Sequence, residues 1–587
     1  MFTSVKTLDT VEFDLCVDAP KTKLKILFYH AAGHKGWLYP AALQLKTYID
    51  LFYQNVADQL EWLVPIQQEV SDDELIQHIE QTDANVLCTS HYLWNHAFLT
   101  AQLSRIKNKL KHNVKVVAGG PSIDVNNNHN FFEQHPYIDY AVYGAGEQAF
   151  ADIVDHLVTN KAMIAFNTSN CAWKNHNTKK TVVADYKFVK MIETSPFVHN
   201  KELFSAMIDD AKKKNISIWL PYTLTRGCPY SCTFCDWNSG LGNKVSRRKN
   251  TYQQEIDLFQ QLGINNIYLS DANVGQYNED VEMIEYFGQK NLQENAGFHV
   301  GGNFSKLKKD NNLKIFHIMS RTGLSSKTLN FSIQDTNQEV LKNINRPDVG
   351  WDVHLSMASE LQKTYPKQVI KGQLIYGLPG QTVASWRQTL EQVTQANILP
   401  IIFLNEPLPA SPAIYDPEYQ NKFKFEYLQS NRVLLDLHAF RAPLAKYNIY
   451  SSLIPKKSSS FDQSDLVHMN LLNSVYLALA VINLALTEYN LKRIDISKIV
   501  DDYVTTPNYQ NLYNNLYHNW TVDNNFYYTI DYSGNKFVME YQLFFSNQEF
   551  LKRVLLLLPA DQKSEFSKLA LTNKFYNFFY EIKNDFD

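Results

Sequence analysis

The chain has 587 residues, which is too long for one hydrophobic core, and chains of this length usually divide into roughly two to four domains. The formal charge of -4 excludes a general attraction to nucleic acid or anionic membranes, so neither is an expected partner. Six cysteines are too few for a disulfide scaffold, and the N-terminus lacks the pattern of a signal peptide. We therefore expect a cytoplasmic protein.

The first part of the chain alternates apolar runs with amphipathic stretches such as DDELIQHIEQ (72–81). The predicted strands are KLKILFYH (23–30), EWLVPIQ (61–67), ANVLCTSHY (84–92), VKVVAGGPS (114–122) and IDYAVYGAGE (138–147). Apolar strands that alternate with helices indicate a parallel sheet covered on both faces. We predict a doubly wound, Rossmann-like α/β domain over residues 1–160, with its ligand at the carboxyl ends of the strands.

Residues 161–215 are mixed and polar, which predicts a connector. A second alternating series occupies residues 216–424, with strands predicted at 216–225, 264–273, 297–304, 328–334, 369–380 and 398–409. Six β/α units in a row predict a partial (β/α)6 barrel with its chemistry at the carboxyl ends of the strands. Residues 425–587 predict a mostly helical C-terminal domain with a strand-like stretch at 525–545. Its apolar run SVYLALAVINLAL (474–486) is too short to span a bilayer and suits a buried helix.

Three cysteines lie close together in TRGCPYSCTFCDWNSG (225–240), at Cys228, Cys232 and Cys235. A zinc site would need a fourth ligand from elsewhere in the chain. A disulfide cluster would need a partner and an oxidising compartment. In an iron–sulfur site, three thiolates hold three irons of a [4Fe–4S] cluster and leave the fourth iron open for a substrate or cofactor.

A C-x3-C-x2-C loop after the first strand of a β/α series resembles the signature of radical S-adenosylmethionine (SAM) enzymes. The resemblance implies that Cys228, Cys232 and Cys235 are the catalytic cluster ligands, while the amino and carboxylate groups of SAM chelate the open iron. An electron from the reduced cluster then cleaves SAM into methionine and a 5′-deoxyadenosyl radical. The implied partner is an electron donor such as flavodoxin or ferredoxin.

The same resemblance implies further SAM contacts. Phe234, before the last cysteine, is expected to pack near the adenine. The second strand of the barrel ends in YLSDAN, the fourth contains NFSIQ and the fifth contains GQLIYGLPGQT. From these segments the candidate SAM-binding residues are Ser270, Asp271, Asn273, Ser332, Gln334 and Gly377.

An α/β domain before such a barrel resembles the cobalamin-binding domain of B12-dependent radical SAM enzymes. TSHYLWN (89–95), GGPS (119–122) and YGAGE (143–147) match its strand-end segments. The implied cobalamin contacts are Thr89, Ser90, Trp94, Gly119, Gly120, Pro121, Gly144, Gly146 and Glu147. The cobalt-ligating string D-x-H-x-x-G is absent from the sequence, so we interpret His30, His34 and His91 as hydrogen-bonding residues and expect Trp94 or Leu93 at the lower cobalt face.

Together these parts imply a cobalamin-dependent radical SAM methyltransferase. The radical would take hydrogen from an unactivated carbon of a peptide or secondary-metabolite substrate, and methylcobalamin would methylate that carbon. The alternative is a non-methylating rearrangement, cyclisation or epimerisation with the same cofactors. A non-enzymatic cluster protein is a third hypothesis, which the intact cysteine triplet disfavours.

A different alternative concerns the N-terminal domain. In the methylthiotransferase branch, a flavodoxin-like domain binds a second cluster through three cysteines in place of cobalamin. Cys16 and Cys88 are present here, but the strings that surround such cysteines are absent from the sequence. We expect substrate specificity to lie in residues 425–587.

Overall fold

The computed structural model describes residues 23–32, 36–92, 95–110, 113–123, 125, 130–159, 163, 168–175, 180–237, 243–304, 306–325, 327–347, 349–408, 411–432, 450–521 and 548–571. Trp94, Leu93, His34, Cys16 and the strand-like stretch 525–545 lie outside the described residues. The chain forms two compact units, which are described separately. The first unit comprises Met1–Arg226, Gly240–Ile267 and His438–Tyr450, and the second comprises Gly227–Ser239, Tyr268–Leu437 and Ser451–Asp587.

The first unit is built on a sheet around β1 (Leu24–Ala32). Leu24, Ile26 and Phe28 of this strand pack into the core on one face, while Leu27, Tyr29 and Ala31 pack into the core on the other. The further strands are β2 (Leu60–Trp62), β3 (Ile66–Gln68), β4 (Val86–Ser90), β5 (Lys115–Gly119), β6 (Tyr140–Val142), β7 (Cys171–Lys174) and β8 (Thr181–Val183). A strand that is apolar on both faces needs helices on both sides.

The strand order is β2-β1-β4-β5-β6-β7-β8, and β3 also pairs with β1. Strands β1 to β6 pair in parallel, whereas β6, β7 and β8 pair antiparallel. The parallel part confirms the predicted doubly wound sheet. Strands β7 and β8 lie in the stretch that we expected to be a connector, and they extend this sheet. The order reverses between β1 and β4, which makes this point the topological switch of the sheet.

The helices of this sheet begin where the sequence supplies caps. At the start of α3, the Ser71 side chain accepts from the Glu74 amide and the Glu74 side chain accepts from the Ser71 amide. This reciprocal capping box satisfies two amide groups that the helix itself leaves without partners. The helices are α1 (Ala41–Phe52), α2 (Gln54–Ala57), α3 (Asp72–Thr82), α4 (His96–Ile106), α5 (Phe131–Gln134) and α6 (Glu147–Thr159), and a 3-10 turn occupies Lys107–Lys109.

The rest of the first unit surrounds a buried ion pair. Its elements are α7 (Pro196–His199), α8 (Lys201–Lys213), β9 (Trp219–Tyr222), β10 (Thr225–Arg226), β11 (Ser246–Arg247) and α9 (Tyr252–Gln261). Arg248 donates to Glu255 at 2.8 Å, and the two side chains are only 1% and 0% exposed. Tyr222 and Thr251 also donate to this carboxylate. Arg248 belongs to the basic run KVSRRKN, so one residue of that run is a core residue.

The second unit continues the predicted β/α series. Its strands are β12 (Asn266–Val274), β13 (His299–Phe304), β14 (Thr328–Gln334), β15 (Val369–Tyr376), β16 (Ile398–Leu404), β17 (Glu426–Arg432) and β18 (Tyr450–Lys457). β13 pairs with β12, β14 contacts β13, and β14, β15 and β16 form a parallel sheet in that order. Strands that are consecutive in the chain are thus neighbours in space, as in a partial β/α barrel.

Helices follow the strands β12 to β16, and further helices after β18 form the C-terminal region. They are α10 (Asn278–Glu294), α11 (Lys309–Thr322), α12 (Gln338–Asn343), α13 (Trp351–Thr364), α14 (Val383–Gln395), α15 (Pro412–Tyr415), α16 (Pro417–Phe423), α17 (Gln463–Glu488), α18 (Ile496–Tyr503), α19 (Pro507–Thr521), α20 (Gln548–Leu557) and α21 (Ala560–Leu571). The helices after β18 confirm the predicted mostly helical C-terminal domain.

Helix α17 is the core of that C-terminal domain. It has 26 residues and is long and apolar enough to cross a membrane on length and composition, but 94% of its most apolar window is buried inside the protein. It packs on α14 and β16. Asn473 of α17 accepts from the Trp386 indole at 2.7 Å, and Tyr476 donates to Glu391 at 2.9 Å. These bonds satisfy polar groups that would be costly to bury alone.

Candidate functional site

The cysteine loop is held in the second unit by backbone and side-chain bonds. The Thr233 amide donates to the Ile344 carbonyl at 3.0 Å, and the Ala413 amide donates to the Thr233 carbonyl at 2.9 Å. The Thr233 hydroxyl also bonds to Tyr419 at 2.9 Å. The loop is therefore fixed at its centre, between Cys232 and Cys235. The Cys235 amide bonds to the Cys232 carbonyl at 3.2 Å, which makes a tight turn of the C-x2-C segment.

The three thiols share one neighbourhood. Cys228 and Cys232 are buried, and Cys235 is half-buried. Lys306 Nζ lies 3.9 Å from Cys228 Sγ. The pKa of the Cys235 thiol is raised to about 12, mainly by burial. Cys232 also raises this pKa, whereas the Lys306 ammonium lowers it. Lys306 therefore lies close enough to act on both ends of the triplet.

Cys228 receives the clearest set of hydrogen-bond donors. Asn273 Nδ2 donates to Cys228 Sγ at 3.2 Å, and Lys306 adds its weaker contact. Among the described residues, no group of three or more His, Cys, Asp or Glu side chains is arranged to hold a single metal ion. N–H donors stabilise negative charge on a sulfur atom. The donors to Cys228 therefore suit a thiolate that binds an iron–sulfur cluster.

The candidate SAM residues on β12 divide between the two faces of the strand. Asp271 and Asn273 are buried, while Ser270 is half-buried and bonds to the Tyr268 carbonyl at 3.3 Å. Alternation along a strand places Ser270 on the face opposite to the other two. Asn273 contacts Cys228 directly, so the structure brings this residue to the cysteines. A SAM contact for Ser270 and Asp271 stays a prediction.

The candidates on β14 and β15 lie at the strand ends. The Ser332 hydroxyl donates to Gln373 Oε1 at 3.0 Å, and the Ser332 carbonyl accepts from Arg346. Gln334 has a left-handed φ of 63° and is 7% exposed. Its Oε1 has no hydrogen-bond partner among the described residues. A buried carbonyl oxygen without a donor is costly, which is consistent with the predicted ligand contact.

Phe234 and the GLPG segment meet in one small core. Phe234 packs against Val340, Leu341, Ile344 and Leu378. Gly377 has a φ of 81°, and a Cβ there would lie 3.2 Å from the Pro455 side chain. The structure thus gives Gly377 a packing role toward the segment that follows the barrel. Its contact with SAM stays a prediction.

A small cavity opens beside Lys306 in the second unit. Its wall includes Phe304, Asn330, Ser332 and His354. Lys306 therefore lies between the cysteine loop and this cavity. No motif marked Lys306 in the sequence, because its role depends on a contact with Cys228, which lies 78 residues away in the chain.

In the first unit, one amide in the loop after β4 ties together the carboxyl ends of β1 and β4. Asn95 is fully buried, and its Nδ2 donates to the His30 carbonyl at 2.8 Å and the Ser90 carbonyl at 3.0 Å. Its Oδ1 accepts from the Tyr92 amide at 2.7 Å. The carboxyl ends of β1 and β4 lie at the topological switch point, where ligands of such sheets bind. In the sequence, Asn95 is the last residue of TSHYLWN, and no motif indicates its role.

The loop after β5 joins the same edge. The His91 amide donates to the Gly119 carbonyl at 2.6 Å, and the Ser122 amide donates to the His91 carbonyl at 3.1 Å. Gly120 has a φ of 107°, and a Cβ there would lie 2.4 Å from the His91 oxygen. The glycine is therefore required for close packing of two loops. Pro121, in contrast, is exposed at this edge.

The candidate hydroxyls bond to histidines. Ser90 Oγ lies 3.0 Å from His30 Nδ1, and Thr89 Oγ1 lies 2.9 Å from His91 Nε2. Burial lowers the pKa of His30 to about 3 and also lowers that of His91. His30 Nε2 is buried without a hydrogen-bond partner in the described part of the chain. An orphaned polar atom at the switch point fits a sheet edge that accepts a ligand with many polar groups.

The YGAGE segment is covered by the chain itself. Gly144 has a φ of 64°, and a Cβ there would lie 2.7 Å from the Tyr186 ring. At Gly146, a Cβ would lie 3.1 Å from the Val142 side chain. Glu147 is 4% exposed and forms an ion pair with Arg226. Arg226 lies two residues before Cys228, but its partner Glu147 is 79 residues away in the chain, so no local sequence pattern indicates the pair.

Comparison with family models assigns both parts of the chain. Residues 58–154 match the B12 binding domain, and residues 222–393 match the Radical SAM superfamily. The chain is therefore a radical SAM protein with an N-terminal B12-binding domain. These two domains imply a [4Fe–4S] cluster, SAM and cobalamin as the cofactors.

Two curated relatives illustrate the similarity. The cobalamin-dependent radical SAM methyltransferase TokK of Streptomyces tokunonensis is 27% identical over 358 residues, which are 60% of this chain and 50% of TokK. The 2-(S-pantetheinyl)-carbapenam-3-carboxylate methyltransferase of Streptantibioticus cattleyicolor is 27% identical over 323 residues, which are 54% of this chain and 45% of that enzyme. The chain spans about half the length of these curated relatives.

A solved structure extends the similarity of the fold. OxsB, a cobalamin-dependent SAM radical enzyme solved with aqua-cobalamin and SAM bound, superposes with a TM-score of 0.56. The match covers 96% of this chain and 80% of OxsB at 12% sequence identity. At this identity the likeness concerns the fold alone.

Proposed function

We propose that this protein is a cobalamin-dependent radical SAM methyltransferase that methylates an unactivated carbon of a peptide or secondary-metabolite substrate. The observation that carries the proposal is that one chain holds both a B12-binding sheet and an intact three-cysteine radical SAM loop. The names of both curated relatives support methyl transfer as the outcome. We also propose that the enzyme acts in the cytoplasm and receives electrons from a flavodoxin or ferredoxin.

The residues of the second unit would hold the cluster and SAM. Cys228, Cys232 and Cys235 would bind three irons and leave the fourth for the amino acid part of SAM. Burial raises the pKa of Cys235, so this thiol would have to release its proton to bind iron. Phe234, with its small apolar core, would offer a flat surface for the adenine.

The residues of the first unit would hold cobalamin at the edge formed by the loops after β1, β4 and β5. Asn95 and the His91 backbone fix these loops before cobalamin binds, so little ordering is needed on binding. When bound, SAM at the cluster supplies a radical that removes hydrogen from a carbon, and cobalamin supplies the methyl group. The protein positions the reactants and keeps out other hydrogen donors.

The test is anaerobic purification of the full chain, followed by reconstitution with iron, sulfide and cobalamin. We expect about four irons per chain and the visible absorption of both cofactors. Cys228→Ala should lose the cluster absorption and keep cobalamin. Cys88→Ala is the matched control, because Cys88 is buried in the core of the first unit and should affect neither cofactor absorption.

Product analysis then separates methylation from other radical outcomes. With dithionite as the reductant and SAM in excess, a methyltransferase forms S-adenosylhomocysteine beside 5′-deoxyadenosine. Formation of 5′-deoxyadenosine alone, with substrate converted, would instead indicate a rearrangement, cyclisation or epimerisation. A wild-type protein that holds no cluster would overturn the proposed function.

A further inference from the structure

The three cluster cysteines are not equivalent, because one of them accepts hydrogen bonds from two side chains. Asn273 Nδ2 lies 3.2 Å from Cys228 Sγ, and Lys306 Nζ lies 3.9 Å from the same sulfur. Asn273 is 8% exposed and lies near the end of β12, while Lys306 follows β13. Two adjacent barrel strands therefore each supply one donor to a single sulfur.

Lys306 also fixes which end of the Asn273 amide faces the sulfur. Its ammonium lies 3.2 Å from Asn273 Oδ1, and an ammonium group can only donate. The oxygen of the amide must therefore point to the lysine, which leaves the NH2 group for Cys228. The two residues work as a unit, in which the lysine orients the donor of the asparagine.

Lys306 is itself held in place by the cysteine loop. Its Nζ lies over the Tyr230 ring, 4.8 Å from the ring centroid. The Tyr230 hydroxyl donates to Gln276 at 3.1 Å, which fixes the ring. A cation over an aromatic face is stabilised by the ring quadrupole, so the lysine is not free to swing into solvent.

We propose that Asn273 and Lys306 form a positioning pair that stabilises negative charge on the Cys228 sulfur and thereby raises the reduction potential of the cluster. This inference rests on the proposed function only in requiring that the three cysteines hold a [4Fe–4S] cluster. Reduction adds one electron, supplied by an external one-electron donor, and no proton. The added charge spreads onto the sulfur ligands, so N–H donors favour the reduced form.

The proposal gives Asn273 a role different from the SAM contact predicted from the sequence. The nitrogen of its amide donates to Cys228, and the oxygen of its amide accepts from Lys306. Because Lys306 orients Asn273, removing either residue should produce much of the effect of removing both.

The experiment is a redox titration of the reconstituted full-length protein, with dithionite and mediators, in which electron paramagnetic resonance measures the reduced cluster. We expect Lys306→Met to lower the equilibrium constant for cluster reduction about tenfold, which is about 59 mV for a one-electron couple. Asn273→Leu should give a shift of the same sign, and the double variant should fall short of the sum. Lys306→Arg, which keeps charge and donors, should restore most of the potential.

Lys308→Met is the matched control, because it removes the same charge two residues later from an exposed position. An unchanged potential in Lys306→Met with full iron content would overturn the proposal and leave the proposed function intact. If Lys306→Met cannot hold the cluster, Asn273→Leu decides, since it removes the direct N–H donor to Cys228 and leaves the lysine in place. A wild-type potential in that variant would equally overturn the proposal. Absence of a cluster in the wild-type protein would instead be the failure of the proposed function.

Discussion

Arg226 and Glu147 form a largely buried ion pair within the first unit, with side-chain exposures of 20% and 5%. Arg226 Nη1 lies 3.2 Å from Glu147 Oε2 and donates to the Val189 carbonyl at the same distance. Arg226 stands two residues before Cys228, and Glu147 is the last residue of YGAGE. One ion pair therefore connects β10 with the first residue of α6 within the first unit.

The first prediction is that breaking this pair destabilises the first unit. Arg226→Met leaves the Glu147 carboxylate buried without its charge partner, which costs about 3 kcal/mol. The double variant Arg226→Met/Glu147→Gln should recover part of that loss, since it leaves no buried charge. Urea unfolding followed by tryptophan fluorescence measures the free energy of unfolding. Lys214→Met is the control: its pair with Asp210 is exposed, and its loss should cost under about 0.5 kcal/mol.

The second prediction concerns acid stability of the histidine group in the first unit. His96 Nδ1 lies 3.1 Å from His91 Nδ1, and burial lowers the pKa of His96 from its usual 6.5 to about 4. The unfolded chain therefore takes up a proton before the folded protein does. Stability from this group is complete above about pH 6.5 and is lost as the pH falls toward 4. The loss for His96 alone is about 2–3 kcal/mol.

Unfolding free energies measured between pH 7 and pH 4 check this prediction. His96→Gln should flatten the pH dependence, whereas His299→Gln should not, because His299 is exposed. A slope that is the same in wild type and His96→Gln would contradict the assignment. Burial is the main cause of the lowered pKa of both histidines, while His96 and His135 also oppose charging of His91, and His135 also opposes charging of His96.

The third prediction separates two costs of replacing a glycine. Gly120 and Gly323 both have a left-handed φ, at 107° and 72°. A Cβ on Gly323 meets no described atom within 4 Å, whereas a Cβ on Gly120 would lie 2.4 Å from the His91 oxygen. Gly323→Ala should therefore cost about 1–2 kcal/mol from backbone strain. Gly120→Ala should cost about 1–3 kcal/mol more from overlap, and equal costs in urea unfolding would refute the packing role.

The sequence predicted the order of the elements well, because apolar strands between amphipathic helices carry a local signal. The strand predicted at 328–334 is observed as Thr328–Gln334, and the one predicted at 264–273 is observed as Asn266–Val274. The cysteine loop was also recognisable, since its spacing lies within eight residues. In each case the information is contained in neighbouring positions of the chain.

Partners that are distant in the chain were not predictable. Asn273 looked like a strand-end ligand residue, and only the fold shows that its amide is shared between Cys228 and Lys306. Arg248 lies in the basic segment KVSRRKN, whose charges alone would favour solvent, but it is buried in an ion pair with Glu255. Tertiary contacts decide which polar side chains are buried, and these contacts cannot be read from the sequence of a charged segment.

The final prediction tests whether the Asn95 amide builds the cobalamin edge. Asn95→Ala removes donors to the His30 and Ser90 carbonyls and the acceptor for the Tyr92 amide. The loops after β1 and β4 should then separate, and the protein should retain less cobalamin after gel filtration. The iron content should not change, because the cysteines belong to the second unit.

Asn85→Ala is the control: its Oδ1 accepts from the Lys25 amide at 2.9 Å, at the opposite end of the same strands. Both variants should lose about 1–3 kcal/mol of stability, since each leaves a backbone group without its partner. Only Asn95→Ala should lose cobalamin, and equal retention by the two variants would show that the amide stabilises the sheet without shaping its ligand edge.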